Sequence, residues 1–270
     1  MKNLFFVIFD SCRFDTYKRA KTPYINNIGA AECRYSYASW TSPSHYVYLM
    51  GLMPHISPKH VFASNVYKEE FAKWKERLGV DDLSFRSFLP HINLPTKLKQ
   101  LGYKTIGRVS MPVLNQYTTM STGFDDYKLM DNHFDFKGMV DDVSFEGNQP
   151  KFYFFNVGET HYPYMLDDLP HISGVHGVFK KMDADPVGVS DDAFFEMEQM
   201  KRLHNQQVKC VEYLDEIIGE LFKKCPANTY FIITADHGEL FGEDGYFGHG
   251  PVFHEKVFEV PFIEGQLPKI

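Results

Sequence analysis

Three apolar runs of strand length constrain this chain most: Leu4–Phe9 (LFFVIF), which is unbroken, and Phe152–Val157 (FYFFNV) and Tyr230–Thr234 (YFIIT), each with a single polar residue. A strand with one wet face alternates apolar and polar residues, whereas an unbroken run suits a central strand covered on both faces. Weaker runs at Thr105–Val109 and Val257–Ile263 extend the series. Helical patterns lie between them. Pro43–Leu52 carries a proline at an early helical position, Leu94–Leu101 ends at Gly102 as a plausible C-cap, and Asp191–Lys224 has apolar residues at helical spacing. Strands alternating with helices predict an α/β fold around a mainly parallel sheet. In such sheets, sites gather beyond the carboxyl ends of the strands. Three stretches rich in charge and loop formers, near 55–91, 131–149 and 164–186, read as cap-like insertions over that end.

The remaining bulk properties exclude more than they assign. The chain has 270 residues, enough for one large domain or one domain with a cap. Hydrophobic residues at 44% and charged residues at 23% exclude a largely disordered chain. With 28 basic against 35 acidic side chains the formal charge is −7, so no nucleic-acid partner is expected. A small anionic substrate stays compatible, because a bound cation reverses the sign locally. Leu4–Phe9 is too short for a signal peptide, and no membrane span is expected because no window approaches the ~18 apolar residues that a span requires. Cys12, Cys33, Cys210 and Cys225 are widely spaced without a CxxC pair, which predicts reduced thiols in a cytoplasmic protein. Nothing in the sequence addresses oligomeric state.

Polar motifs fall where the strands end. Asp10 follows the first run directly, placed to hold a cation. Asp236 and His237 follow another run, in FIITADHGELFGEDG, and offer an oxygen and a nitrogen to one metal if Gly238 lets the chain turn sharply. Glu239 and Glu243, repeated glycines and His249 come after them, an unlikely composition for core packing. His161 lies beyond a third run, in NVGETHYPY. In SWTSPSH, Ser42 precedes Pro43 and reads as a helix N-cap, with Thr41 just outside the helix. A hydroxyl there could attack phosphorus while the helix end holds the non-bridging oxygens. Taken singly, each has a plainer explanation: a turn or cap aspartate, a capping serine, a structural histidine.

Taken together, the motifs resemble the alkaline phosphatase superfamily, most closely its sulfatase-like branch. The resemblance runs in order through NLFFVIFDSCRFDTY, TPYINNIGA (similar to the family's next helix), SWTSPSHYVYLMGLMP, LKQLGYKTIGRVS with GFDDY, GETHYPY, and TADHGELFGEDGYFGHG followed by VPFI. It implies a three-layer α/β/α sandwich spanning 1–270 as a single catalytic domain. It also implies that the usual C-terminal subdomain is lacking. By the same resemblance Asp10, Asp236 and His237 bind a metal, with Thr41 as nucleophile and further ligand. His249 lies thirteen residues after Asp236, as in phosphoethanolamine-transferase-like members, and contacts substrate or a second metal. His161 shares that role, while Arg13 and His45 lie near the transferred group.

The departures sharpen the expectation. Sulfatases of this branch carry a C/S-x-P-x-R pattern whose first residue is oxidised to formylglycine. This chain has Thr41-Ser42-Pro43-Ser44-His45. Threonine would oxidise to a ketone, Ser42 is out of frame, and histidine replaces arginine. The resemblance therefore implies phosphoryl transfer from a mono- or diester through a phospho-threonine at Thr41, with Arg13 offsetting charge and His161 or His249 acting on the leaving group. One or two divalent ions are expected; zinc or manganese suits the histidine better than magnesium or calcium. A sulfatase, a phosphonate ester hydrolase and a non-catalytic member of the fold are the alternatives. Asp167 and His171, and the aromatics Phe62, Tyr67, Trp74, Phe85 and Phe88, belong to the insertions and read as structural or packing residues, the aromatics equally as recognition residues.

Overall fold

The structure, a computed structural model, describes residues 1–51, 73, 75–77, 79, 81, 92–165, 197–250 and 252–268. Its elements are β1 (Leu4–Phe9), α1 (Phe14–Arg19), β2 (Glu32–Tyr35), α2 (Thr41–Met50), α3 (Leu94–Gln100), β3 (Lys104–Val109), β4 (Asp126–Leu129), α4 (Phe136–Asp141), β5 (Lys151–Val157), α5 (Met197–Lys224), β6 (Tyr230–Ala235), β7 (Leu240–Phe241), β8 (Phe247–Gly248), α6 (Glu255–Phe258) and β9 (Glu259–Gln266). Seven strands form one sheet in the order β2-β9-β6-β1-β5-β3-β4. β6, β1, β5, β3 and β4 run parallel, and β9 pairs antiparallel with both β6 and β2. The fold is thus α/β with a large, mainly parallel sheet.

The apolar runs have the expected cause. Phe152 and Phe154 of β5 face a cluster with Leu49 and Met50 of α2 and Leu98 of α3. Their neighbours Tyr153, Phe155 and Val157 face the opposite cluster, with Val211, Leu214 and Ile218 of α5 and Phe136 and Val140 of α4. Both faces of the strand are dry, so alternation has no place in it. Helix layers on both sides follow from that pattern.

Several expectations change. The segment 131–149 is no cap: it holds α4, whose Phe136, Met139 and Val140 are buried in the core as part of the β4-to-β5 crossover. The charge of its exposed residues masked that apolar stripe. The helix expected in TPYINNIGA is a single 3-10 turn at Ile25–Asn27. The last run divides, with Val257 and Phe258 in α6 and the strand beginning at Glu259. Residues 191–196, 166–186, and most of 55–91 lie outside the described residues, and with them Phe62, Tyr67, Trp74, Phe85, Phe88, Asp167 and His171.

Phe155 of β5 packs against β1 and α4 on one face of the sheet, lying edge-on to Phe5 at 5.7 Å and to Phe136 at 6.2 Å. Phe155→Ala should lower stability by about 3–5 kcal/mol, measured by urea unfolding. A loss below about 1 kcal/mol would contradict this assignment of the core.

Candidate functional site

Parallel neighbours bring their carboxyl ends side by side. Phe9 of β1 is in register with Val157 of β5 and Ala235 of β6. The residues just beyond, Asp10 and Asp236, therefore emerge together, with His161 four residues past the end of β5. Asp10, Asp236 and His237 are fully buried and offer ligand atoms that all lie within 4.8 Å of one another. The three residues expected to form the metal set are thus gathered at one place.

Thr41 completes the group from the other layer. It is the first residue of α2, and Trp40 is the N-cap. Ser42 is consequently not the cap, a correction to the sequence reading. The Trp40 side chain makes no capping hydrogen bond to the first turn. Thr41 Oγ1 lies 3.5 Å from Asp10 Oδ2 and 3.4 Å from His237 Nε2. The helix is fixed to the Asp236 backbone: Ser44 Oγ donates to the Asp236 carbonyl at 2.7 Å, Ser36 Oγ donates to the same oxygen, and the Tyr48 hydroxyl donates to Ala235 at 2.8 Å.

Burial and mutual repulsion set the charge of the group. Burial drives the Asp236 carboxyl well above its ordinary range, and the neighbouring Asp10 adds to the rise. Burial also pushes Asp10 upward, but His161, His237, the Asn156 amide and His45 outweigh it and hold Asp10 below its usual value. Burial, followed by His249, holds His237 well below the ordinary histidine value, so its imidazole is neutral. Its Nδ1 donates to the Gly238 carbonyl at 2.9 Å, which leaves the Nε2 lone pair facing the carboxylates. Asp236 Oδ1 accepts the amides of Ser11 and His237, but Asp236 Oδ2 is buried without a hydrogen-bond partner. Two carboxylates, a neutral imidazole and an orphaned oxygen fit a divalent ion.

The other expected residues stand differently. Arg13 does not face the group. Its guanidinium is held by Asp15 at 2.6 and 2.8 Å, by Glu243 at 2.6 Å and by the Glu239 carbonyl at 3.2 Å. These contacts tie α1 to the loop after Asp236. The sequence pattern could not show that Glu243 returns to meet it. His45 is fully buried, and its Nδ1 donates to the Thr41 carbonyl at 2.8 Å. It supports the first turn of α2. Burial lowers its pKa to about 4, so it is neutral too.

His249 packs its ring 4.2 Å from that of His237, but its Nδ1 turns to Glu239 Oε1 at 3.3 Å. Among the described residues the three-residue cluster is Asp10, Asp236 and His237, with His249 beside it. Glu239 also accepts the Tyr164 hydroxyl at 2.6 Å. His161 sits 5.2 Å from His249, ring to ring, and its Nδ1 donates to the Tyr162 carbonyl. Gly238 is needed for close packing, since a Cβ there would meet the Lys256 carbonyl oxygen at 2.0 Å.

Sequence reasoning missed two buried polar groups. Asn156 Nδ2 donates to Asp10 Oδ2 at 2.9 Å, and its Oδ1 accepts the Met111 amide at 3.2 Å. Its signal was the lone polar residue inside FYFFNV. Glu159 Oε1 accepts the Phe136 amide at 2.8 Å, while Oε2 has no hydrogen-bond partner.

A model of the Sulfatase family matches residues 2–263. No curated protein sequence matches the chain. Among solved structures it is similar to the zinc complex of the C-terminal periplasmic domain of EptC from Escherichia coli, at 14% identity and a TM-score of 0.58, over 98% of this chain and 73% of that one. It is similar to the C-terminal periplasmic domain of the phosphoethanolamine transferase EptC from Campylobacter jejuni, at 14% and 0.56, over 98% and 79%. A 2-O GAG sulfatase matches at 15% and 0.59, over 98% of this chain and 64% of that one. The cytoplasmic location read from the cysteines is overturned by these matches, two of which are periplasmic domains. Four unpaired thiols report only that no disulfide forms, and they do not specify a compartment. No helix among the described residues is long and apolar enough to cross a membrane.

Burial lifts the Glu159 carboxyl from 4.5 to about 7. The folded chain therefore keeps a proton that the unfolded chain releases, and stability falls as pH rises from about 4.5 to about 7. Glu159→Gln keeps the acceptor for Phe136 and removes the titration. Urea unfolding should find the variant close to the parent at pH 5 and more stable than it at pH 8. An equal difference at both pH values would contradict the shift.

Proposed function

From the premise that the chain belongs to the Sulfatase family, a branch of the alkaline phosphatase superfamily, we propose that it is a metal-dependent enzyme transferring a phosphoryl group from a phosphate mono- or diester. The observation that carries this reading is the Thr41 hydroxyl at the start of α2, within 3.5 Å of both Asp10 and His237. A formylglycine sulfatase needs cysteine or serine at that place; threonine supplies a nucleophile that requires no oxidation.

Asp10, Asp236 and His237 would hold the cation, with Thr41 beside them. A bound divalent ion would lower the pKa of a neighbouring hydroxyl and offset charge on phosphoryl oxygens. Thr41 Oγ1, its proton released to water, attacks phosphorus in line with the leaving oxygen, forming the Oγ1–P bond as the ester P–O bond breaks. The first-turn amides of α2 donate to the non-bridging oxygens. His249, oriented by Glu239, or His161 gives a proton to the departing alcohol. Water or an acceptor alcohol then takes the phosphoryl group from Thr41. His45 and Ser44 keep the first turn of α2 in place throughout, and Arg13 holds the loop carrying Glu239. A setting outside the cytoplasm accords with the periplasmic relatives.

The test compares a phosphate monoester, a phosphate diester, a phosphonate monoester and a sulfate ester. Thr41→Ala should lower turnover by about a thousandfold or more while zinc or manganese stays bound. Asp236→Ala should lose the metal. Faster turnover of the sulfate ester, or retained turnover by Thr41→Ala, would overturn the reading.

A further inference from the structure

α5 packs an apolar stripe against the sheet, with Leu203, Cys210, Val211 and Leu214 fully buried. Gln207 lies on the same stripe and is equally buried. A primary amide in such a place is tolerated only if its polar atoms are satisfied, and here each end is used. Gln207 Nε2 donates to the Ser11 carbonyl at 2.9 Å and to the Thr160 carbonyl at 3.0 Å. Gln207 Oε1 accepts the Thr16 hydroxyl at 2.7 Å. One side chain from the helix layer therefore grips the loop after β1, the loop after β5 and α1.

Both gripped peptides adjoin the site. Thr160 Oγ1 donates to the Asp10 carbonyl at 2.7 Å, and Thr160 precedes His161. Ser11 follows Asp10, and its amide donates to Asp236 Oδ1 at 3.1 Å. Ser11 also has a φ of +62°, a left-handed conformation that a residue with a side chain rarely adopts. That conformation persists only if its surroundings impose it. Its amide is held by Asp236, and its carbonyl by Gln207.

We propose that Gln207 is a positioning residue of the site: by clamping the Ser11 and Thr160 carbonyls it holds Ser11 left-handed, and so sets Asp10 against Asp236 and His161. The inference rests on the proposed metal-dependent transfer. It predicts an energetic coupling between Gln207 and the backbone at Ser11, which a packing role does not. Glycine takes the left-handed conformation freely, so it needs the clamp less.

The test is a double-mutant cycle of Gln207→Met, which keeps length and bulk but neither donor nor acceptor, with Ser11→Gly. Zinc is titrated calorimetrically into the metal-stripped full chain, and kcat and KM are measured on a phosphate ester. Gln207→Met should weaken zinc about tenfold and lower kcat by a similar factor, with KM within about twofold. In the Ser11→Gly background the same substitution should cost less than about threefold on both readouts. Equal losses in both backgrounds, or wild-type zinc affinity in Gln207→Met, would overturn the inference. Gln207→Glu keeps the acceptor toward Thr16 and turns an oxygen to both carbonyls, so it should lose at least as much as Gln207→Met. Failure of both single variants to fold in either background would also overturn it, since Gln207 would then serve the core. If the wild-type chain binds neither zinc nor manganese, the functional reading fails and takes this inference with it. Normal wild-type binding with an unaffected Gln207→Met variant removes the inference alone.

Discussion

Two carboxylates, Asp10 and Asp236, sit fully buried within reach of one neutral imidazole, and the rest of the structure is arranged around that fact. Withdrawing a carboxylate from water costs several kcal/mol, and a second beside it adds repulsion. Amides and hydroxyls meet part of the demand: Asn156 and Ser11 serve Asp10, while the Ser11 and His237 amides serve Asp236. One oxygen of Asp236 remains without a hydrogen-bond donor. A divalent cation would fit that residual demand, and the neutrality of His237 leaves a lone pair for the same ion. The net charge of −7 is consistent with acids committed to such a site.

The sheet makes the pairing possible. Parallel, in-register strands deliver Asp10 and Asp236 from adjacent ends, and no shift of register could keep both there. The opposite layer then brings Thr41 by docking α2 through Ser44 and Tyr48 onto the exit of β6. Arg13, paired with Asp15 and Glu243, holds the loop that carries Glu239 toward His249. Thr41, the candidate metal set and the histidines thus depend on contacts from three separate parts of the chain.

The central sheet was legible because a strand dry on both faces leaves an unmistakable apolar run, as in LFFVIF and YFIIT. The edge strands were not: every residue of β2 is exposed, so no burial pattern marks it. α4 was mistaken for part of a cap because three buried residues in a short helix make a weak period. In the site, Asp10, Thr41, Asp236 and His237 stood out through their places beside predicted strands and helices. The partners of Arg13 were not legible, because Glu239 and Glu243 lie far away in sequence. Asn156 and Gln207 carried a usable signal, a single polar residue on an otherwise apolar strand or helix face. The compartment left no such trace in these residues.

The most direct test of a nucleophilic Thr41 is to trap what it carries. Wild-type protein turning over a phosphate ester is quenched in acid, digested and examined by mass spectrometry. The account predicts a phosphoryl group on the peptide containing Thr41, located on that residue by fragmentation and absent when the metal is removed. Continued turnover with Thr41 unmodified in every quenched sample, or with the phosphoryl group on another residue, would contradict it.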